Sequence, residues 1–238
     1  MKKVIFVIPM YNAAPHIESL VNSLKAQTNP NWEAVFIDDL SDDDSIFMIN
    51  HCSGNDTRFT VIKNEEKKWA LKNVVEVSRN YQEDAEIIIA VLDADDCLCN
   101  ERTVDLIIEA YRDDEVDTAW TGHKWDINNM NISKALPDKP TVNPYQYPWV
   151  SSHLKTFRAS LLKDISDANF KNLENIWFKR GYDQALYLPL LYKSSKRKYI
   201  DEICYLYRIN SNSLKVRDWS EKAQMDTVRL VRARGFVK

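Results

Sequence analysis

Apolar positions along this chain fall into blocks with two different periods. Residues 3–8, 32–37 and 58–62 are short β-rich runs that read as strands, and 87–92 is an unbroken apolar run, the pattern of a strand buried on both faces. Between them the spacing changes. Ile17, Leu20, Val21 and Leu24 recur at helical intervals within residues 15–27, with Pro15 suited to the first turn. Ile46, Phe47 and Ile49 mark a second helix, and Trp69, Val74 and Val77 a third over residues 69–77. Strand and helix alternating at about 25 to 30 residues predict βαβ units, hence an α/β fold with a mainly parallel central sheet flanked by helices.

After Asn100 a further helix runs to Tyr111, with Val104, Ile107, Ile108 and Tyr111 inward, and a short strand is expected over residues 117–120. Over residues 121–150 periodicity is lost in a stretch rich in Asn, Pro and aromatics. A long irregular segment of this kind within a domain commonly serves as a functional loop. Order resumes at residues 153–158, followed by a short helix through Leu161 and Leu162. Residues 182–192 read as helical despite Pro189, 198–207 as one strand or two, and 218–234 as an amphipathic helix with more basic than acidic residues.

With 238 residues, 45% of them hydrophobic, the chain can bury one full core, so residues 1–238 are read as a single domain. A net charge of −3 argues against a general nucleic-acid binder. The apolar run after Lys2 and Lys3 is too short for a signal peptide and reads as a strand. No stretch approaches the roughly 20 apolar residues of a spanning helix. Cys52, Cys97, Cys99 and Cys204 form no Cys-x-x-Cys pair, which suggests reduced thiols and a cytoplasmic setting. Cys97 and Cys99, beside an acidic loop, have soft metal binding as an alternative use.

The candidate chemistry lies where the strands end. Asp93, Asp95 and Asp96 follow the run 87–92 at once, and Asp38 and Asp39 follow the run 32–37. In open α/β sheets ligands bind beyond the carboxyl ends of the strands. Clustered carboxylates there suit a hard divalent cation, Mn²⁺ or Mg²⁺, which in turn suits phosphate. A helix cap would need one carboxylate and not three. The chain has four glycines and neither a Gly-x-Gly-x-x-Gly nor a Walker loop, so the acidic loop with a metal is the candidate holder of any phosphate.

Four features occur in order: Ile8-Pro9-Met10-Tyr11-Asn12, then Asp38-Asp39-x-Ser41-x-Asp43, then Ala70-Leu71-Lys72-Asn73, then Leu92-Asp93-Ala94-Asp95-Asp96. Together they resemble the nucleotide-sugar-dependent glycosyltransferases of family 2, which have the GT-A fold. The likeness continues more loosely through Gly181-Tyr182-Asp183-Gln184 and Tyr207-Arg208-Ile209-Asn210-Ser211-Asn212-Ser213. It implies a nucleotide-sugar-binding half (1–100), an acceptor-side half (101–213) and a C-terminal basic helix (214–238).

By this resemblance Pro9 and Tyr11 would line the nucleotide pocket, and Asp39 or Asp38 would accept a hydrogen bond from the base, typically uracil. Asp93 would approach the ribose or the metal. Asp95 would be the main ligand of a divalent metal, with Asp96 close by, and Lys72 would face the diphosphate. Asp183 would be the general base of an inverting displacement from a UDP-sugar to an acceptor hydroxyl. The acceptor side would include residues 121–150, Trp149 and His153, with a saccharide, a lipid-linked saccharide or a protein as acceptor. Three departures stand out. Residues 64–68 lack the family's usual glycine, Tyr182 replaces the first carboxylate of a Glu-Asp pair, and Asn210 stands where many members have a metal-binding His. His153 is a candidate substitute for that His.

Plainer uses of the same residues stay open. Residues 38–44 could cap the next helix, Asp183 could be an N-cap, Lys72 could be solvated, and Tyr11 and Trp69 could be core. A non-catalytic nucleotide-sugar-binding domain and a nucleotidyltransferase are the competing functions, although Pro9-Met10-Tyr11-Asn12 is not a triphosphate loop. The last helix could rest on an anionic membrane surface, cover the domain's own core or mediate a homodimer.

Overall fold

Each apolar run becomes a strand whose side chains alternate between two cores. In the computed structural model, which describes residues 1–137, 142–209 and 217–238, strand β1 (Lys3–Met10) lies near the middle of the sheet. Its Val4, Phe6 and Ile8 pack with Ile17, Leu20, Val21 and Leu24 of α1 (Ala14–Lys25), while Ile5 and Val7 face the opposite layer. Burying each of these large side chains contributes about 1.5–3 kcal/mol. β2 (Trp32–Asp38), α2 (Ser45–Ser53), β3 (Phe59–Lys63) and α3 (Trp69–Arg79) follow, then β4 (Ile87–Val91) and the two-residue β5 (Cys97–Leu98). Leu71, Val74 and Val75 of α3 join Ile5 and Val7 on the second face.

α4 (Thr103–Ala110) leads to β6 (Val116–Trp125), β7 (Lys155–Arg158), two short 3₁₀ turns, α5 (Tyr182–Lys193), β8 (Lys196–Tyr207) and α6 (Arg217–Arg234). Among the described residues the sheet order is β3-β2-β1-β4-β7-β6-β8-β5. β3, β2, β1 and β4 run parallel, as expected. The second half is mixed: β7 is antiparallel to both β4 and β6, β8 is parallel to β6, and β5 is antiparallel to β8. "Mainly parallel" therefore describes only the first half. The chain leaves β1 on one side toward β2 and returns on the other as β4. This reversal of direction opens a crevice between the ends of β1 and β4, the place where such sheets bind ligands.

Several local expectations change. Phe47 is 64% exposed and stacks on His51, while Ser45, Ile49 and Ser53 face inward. Phe47 is two residues from both Ser45 and Ile49, so helical geometry sets it on the opposite side. The strand expected at 117–120 extends to Trp125, because β8 pairs along its whole length. Trp69 is half-buried at the first turn of α3 and is not part of its inward face. No helix of the described residues is long and apolar enough to cross a membrane. α6 packs on α5 through Val231, and its Arg232 donates to the carbonyls of Tyr145 and Tyr147 and to Gln184.

Candidate active site

The first wall of the crevice is built by loops that cap one another. α1 begins without a side-chain cap of its own. Its first N–H groups are instead met from the loop after β2: Ala13 N donates to Ser45 Oγ (2.8 Å) and Ala14 N to Asp43 Oδ2 (3.0 Å). Asn12 is held to Ser41 and Asp42 in the same way. This fixes Tyr11 at the rim, 54% exposed, with the Lys67 ammonium 3.0 Å from its ring centre. Pro9 is buried within β1, in register with Ile37.

Asp38 and Asp39 are both buried, at 0% and 3% exposed. Asp38 Oδ1 accepts from Ser41 N at 3.2 Å, and its Oδ2 has no hydrogen-bond partner among the described residues. Asp39 organises the start of α3. Its Oδ1 accepts from Asn64 Nδ2 and Lys68 N, both at 2.8 Å, and its Oδ2 from Trp69 N at 2.9 Å. Burial alone would raise its pKa, but these hydrogen bonds outweigh burial and hold the carboxyl below its ordinary range. Asp39→Ala is expected to destabilise the fold by about 2–4 kcal/mol, because buried N–H groups lose their acceptor. A carboxylate whose folded pKa is lowered stabilises fully above the ordinary range and loses its effect as the pH falls through the lowered value. The gap between native and variant urea midpoints should therefore be full at neutral pH and close in acid.

The second wall is the loop after β4. Asp93 accepts from Tyr182 Oη, and its own N–H donates to Tyr205 Oη at 3.3 Å. Burial, then the neighbouring charge of Asp183, push its carboxyl up to about 7. Asp95 is half-buried beside the crevice. Asp96 turns inward at 1% exposed, accepting from Tyr205 Oη at 2.6 Å and from Arg208 N at 2.7 Å. Burial, then Asp95 and Asp93, raise it to about 9. Asp96 thus ties the end of β8 to the acidic loop.

Asp183 meets this loop from α5. The N-cap is Gly181, whose φ of 67° is the left-handed conformation glycine adopts without strain, so Asp183 lies inside the helix and is not its cap. Its carboxylate, 30% exposed, accepts from Lys155 Nζ at 2.6 Å. Lys155 is itself wholly buried, and its Nζ lies 3.2 Å from His153 Nδ1. An ammonium can only donate, so His153 Nδ1 is the acceptor and its neutral ring carries the proton on Nε2. Burial, then Lys155, keep His153 well below the ordinary histidine range. Burial would raise Asp183, but the charge of Lys155 overcomes it and the carboxyl is held below its usual range.

Donor atoms of Asp93, His153 and Asp183 all lie within 4.8 Å of one another. His153 stacks on Tyr205 and Tyr207, with ring centres 4.7 and 5.2 Å away. In front of it opens a cavity of about 360 Å³ lined by Trp125, Trp149, His153, Asp183, Gln184 and Tyr207, with Gln224 and Val228 of α6. The structure so brings together Asp93, Asp183, His153 and Trp149. Lys72, on α3, is engaged with acidic neighbours, its ammonium 3.8 Å from Glu66 and 3.7 Å from Glu76. Asn210 lies outside the described residues.

Lys155 and Tyr205 were not singled out from the sequence. The signal available was weak but physical: Lys155 is two residues from His153, so in a strand both face the same side.

Residues 5–168 match the sequence profile of glycosyl transferase family 2. A similar curated protein is the UDP-Glc:alpha-D-GlcNAc-diphosphoundecaprenol beta-1,3-glucosyltransferase WfgD of Escherichia coli, 26% identical over 93% of this chain and 83% of that protein. Another is the glycosyltransferase GlyG of Streptococcus pneumoniae, 24% identical over 87% of this chain and 71% of its own. Among solved structures, S. aureus TarS in complex with UDP-GlcNAc superposes with a TM-score of 0.70 at 19% identity, covering 99% of this chain and 68% of that one. That last likeness speaks for the fold.

Proposed function

The chain belongs to glycosyl transferase family 2, and from that premise we propose that it moves a sugar from a UDP-sugar to the hydroxyl of a saccharide acceptor with inversion. The observation that carries this reading is the position of Asp183. Its carboxylate sits within 4.8 Å of donor atoms on Asp93 and His153 and faces the aromatic cavity. One side of the carboxylate is thus directed at the donor loop and the other at a pocket suited to a sugar ring.

Asp183 Oδ1 is engaged by Lys155, so Oδ2 is the oxygen that takes the acceptor's proton as the acceptor attacks the anomeric carbon. The bond to the nucleotide diphosphate breaks as the new glycosidic bond forms. Lys155 keeps the base ionised and aimed.

A divalent metal fits one side of the site and not the other. Asp95, with Asp93, offers the hard oxygen donors that Mn²⁺ or Mg²⁺ prefers. The corner between His153 and Asp183 already holds the Lys155 ammonium, and a second cation there would be repelled. A metal held by Asp95 and Asp93 would neutralise charge developing on the diphosphate. Asp96, engaged by Tyr205 and Arg208, is assigned to holding β8. Trp125, Trp149 and Tyr207 are assigned to the acceptor, and a lipid-linked saccharide of the class named for WfgD is the first to try.

The test is transfer from a panel of UDP-, GDP- and dTDP-sugars, with Mn²⁺ and with EDTA, to saccharide and lipid-linked acceptors. Metal-dependent transfer from a UDP-sugar is expected. Asp183→Asn should lower it by about 100-fold or more while UDP binding stays intact. Donor binding without transfer to any acceptor would favour the non-catalytic reading instead.

A further inference from the structure

Lys67, Lys179 and Arg180 converge on one ring. The Lys67 and Lys179 ammonium groups each lie 5.7 Å from the centre of Trp69, and the Arg180 guanidinium 5.2 Å from it. The three cations come from two separate stretches of chain, just before α3 and just before α5. Trp69 is the first residue of α3, and Arg180 precedes the Gly181 cap of α5. The cations thus gather beside the starts of α3 and α5, the first of which is already met by the Asp39 carboxylate.

The cluster also has a defined place in the crevice. On one side Lys67 covers the Tyr11 ring and donates to the carbonyl of Asp39 at 2.9 Å. On the other, two residues beyond Arg180, Tyr182 donates to Asp93. Two residues span at most about 7 Å. Followed in space, the wall runs from Tyr11 and Asp39 to the cations, then to Asp93 and Asp183. A nucleotide sugar laid along it, base at Tyr11 and sugar at Asp183, would set its diphosphate against the cations.

Neighbouring lysines are differently placed. Lys68 is 3.0 Å from Glu76, and Lys72 is paired with Glu66 and Glu76. The carboxylate beside Lys67 is Asp39, whose oxygens are already engaged by backbone N–H groups and Asn64. Burial holds the Lys67 ammonium below its ordinary range, against the pull of Asp39 and with the push of Arg180. Like charges held this close are relieved by an anion.

We propose that Lys67, Lys179 and Arg180, gathered on Trp69 at the N-termini of α3 and α5, form the site that binds the donor's diphosphate. This deepens the nucleotide-sugar reading above and rests on it. The role implied for Lys72 by the family resemblance passes to these three residues.

The experiment compares uridine, UDP and inorganic pyrophosphate by titration calorimetry in EDTA, so that the protein's own cations are measured. The native chain should bind UDP at least about tenfold more tightly than uridine. Lys179→Met, at an exposed position, and Arg180→Met should each cut UDP affinity by roughly tenfold with uridine unchanged. Rising salt should weaken UDP binding in the native chain more than in either variant. Equal losses for uridine and UDP, or unchanged UDP binding in both variants, would overturn the site. Uridine binding with no gain for UDP would overturn it too and leave the nucleotide reading standing. Pyrophosphate bound by the native chain, lost in the variants and accompanied by no nucleotide binding, would keep the anion site and remove the nucleotide-sugar reading. Binding of none of the three would overturn both.

Discussion

Lys155→Met is expected to lower sugar transfer by at least about 100-fold and to destabilise the fold by about 3–5 kcal/mol. The ammonium is wholly buried and hydrogen-bonded to Asp183 at 2.6 Å and to His153 at 3.2 Å. Removing it leaves the Asp183 carboxylate without its counter-charge and His153 Nδ1 without its donor. Methionine fills similar volume, so the loss is electrostatic and not a cavity. Two readouts separate this account from a general packing defect. First, the double variant Lys155→Met with Asp183→Asn should be more stable in urea than Lys155→Met alone, since no uncompensated charge remains. Second, residual transfer by Lys155→Met should show its acid limb at higher pH than the native chain. The sign follows from the balance at Asp183: burial raises its pKa and Lys155 is the largest influence lowering it, so removing Lys155 shifts the balance upward. An unmoved acid limb together with an additive double variant would sink the idea that Lys155 sets the state of Asp183.

Asp95→Ala and Asp96→Ala should fail in opposite ways, although the two residues are adjacent. Asp95→Ala is expected to reduce metal-dependent transfer by roughly three orders of magnitude, several kcal/mol of transition-state stabilisation. Its urea midpoint should stay within about 0.5 kcal/mol of native, as for a half-exposed loop position outside the core. Asp96→Ala removes the acceptor of both Tyr205 Oη and Arg208 N. One buried and one partly buried donor lose their partner, so a destabilisation of about 2–4 kcal/mol is expected, with the end of β8 loosened. Steady-state transfer and urea unfolding on both variants decide the matter. An Asp96→Ala protein as stable as native and dead only for want of metal would return Asp96 to the ligand set.

The contrast between Asp95 and Asp96 also marks how far the sequence could be read. Consecutive aspartates at the end of an apolar run identify a loop at the mouth of a strand, because that inference needs only local pattern. Which of them turns inward depends on β8, more than a hundred residues away. Asp39 illustrates the same limit. Its place after β2 is plain from the run 32–37, but its three hydrogen bonds come from residues 64–69, brought there by the β2–β3 pairing and the start of α3.

By itself, then, the sequence determined the alternation of strands and helices through residue 100 and the acidic loop at the end of β4. These follow from hydrophobic period and from the short βα connections that leave a parallel sheet little choice of order. Only the tertiary structure decided the second half. β7 enters antiparallel between β4 and β6 and brings Lys155, with His153 two residues before it, to the place where α5 delivers Asp183. Trp69 likewise becomes a platform for cations because α5 begins beside α3. Such placements arise from strand order and helix docking across long stretches of chain. A buried ammonium or a shared ring face leaves no periodic trace in either partner's sequence, so both became visible only once the partners had met.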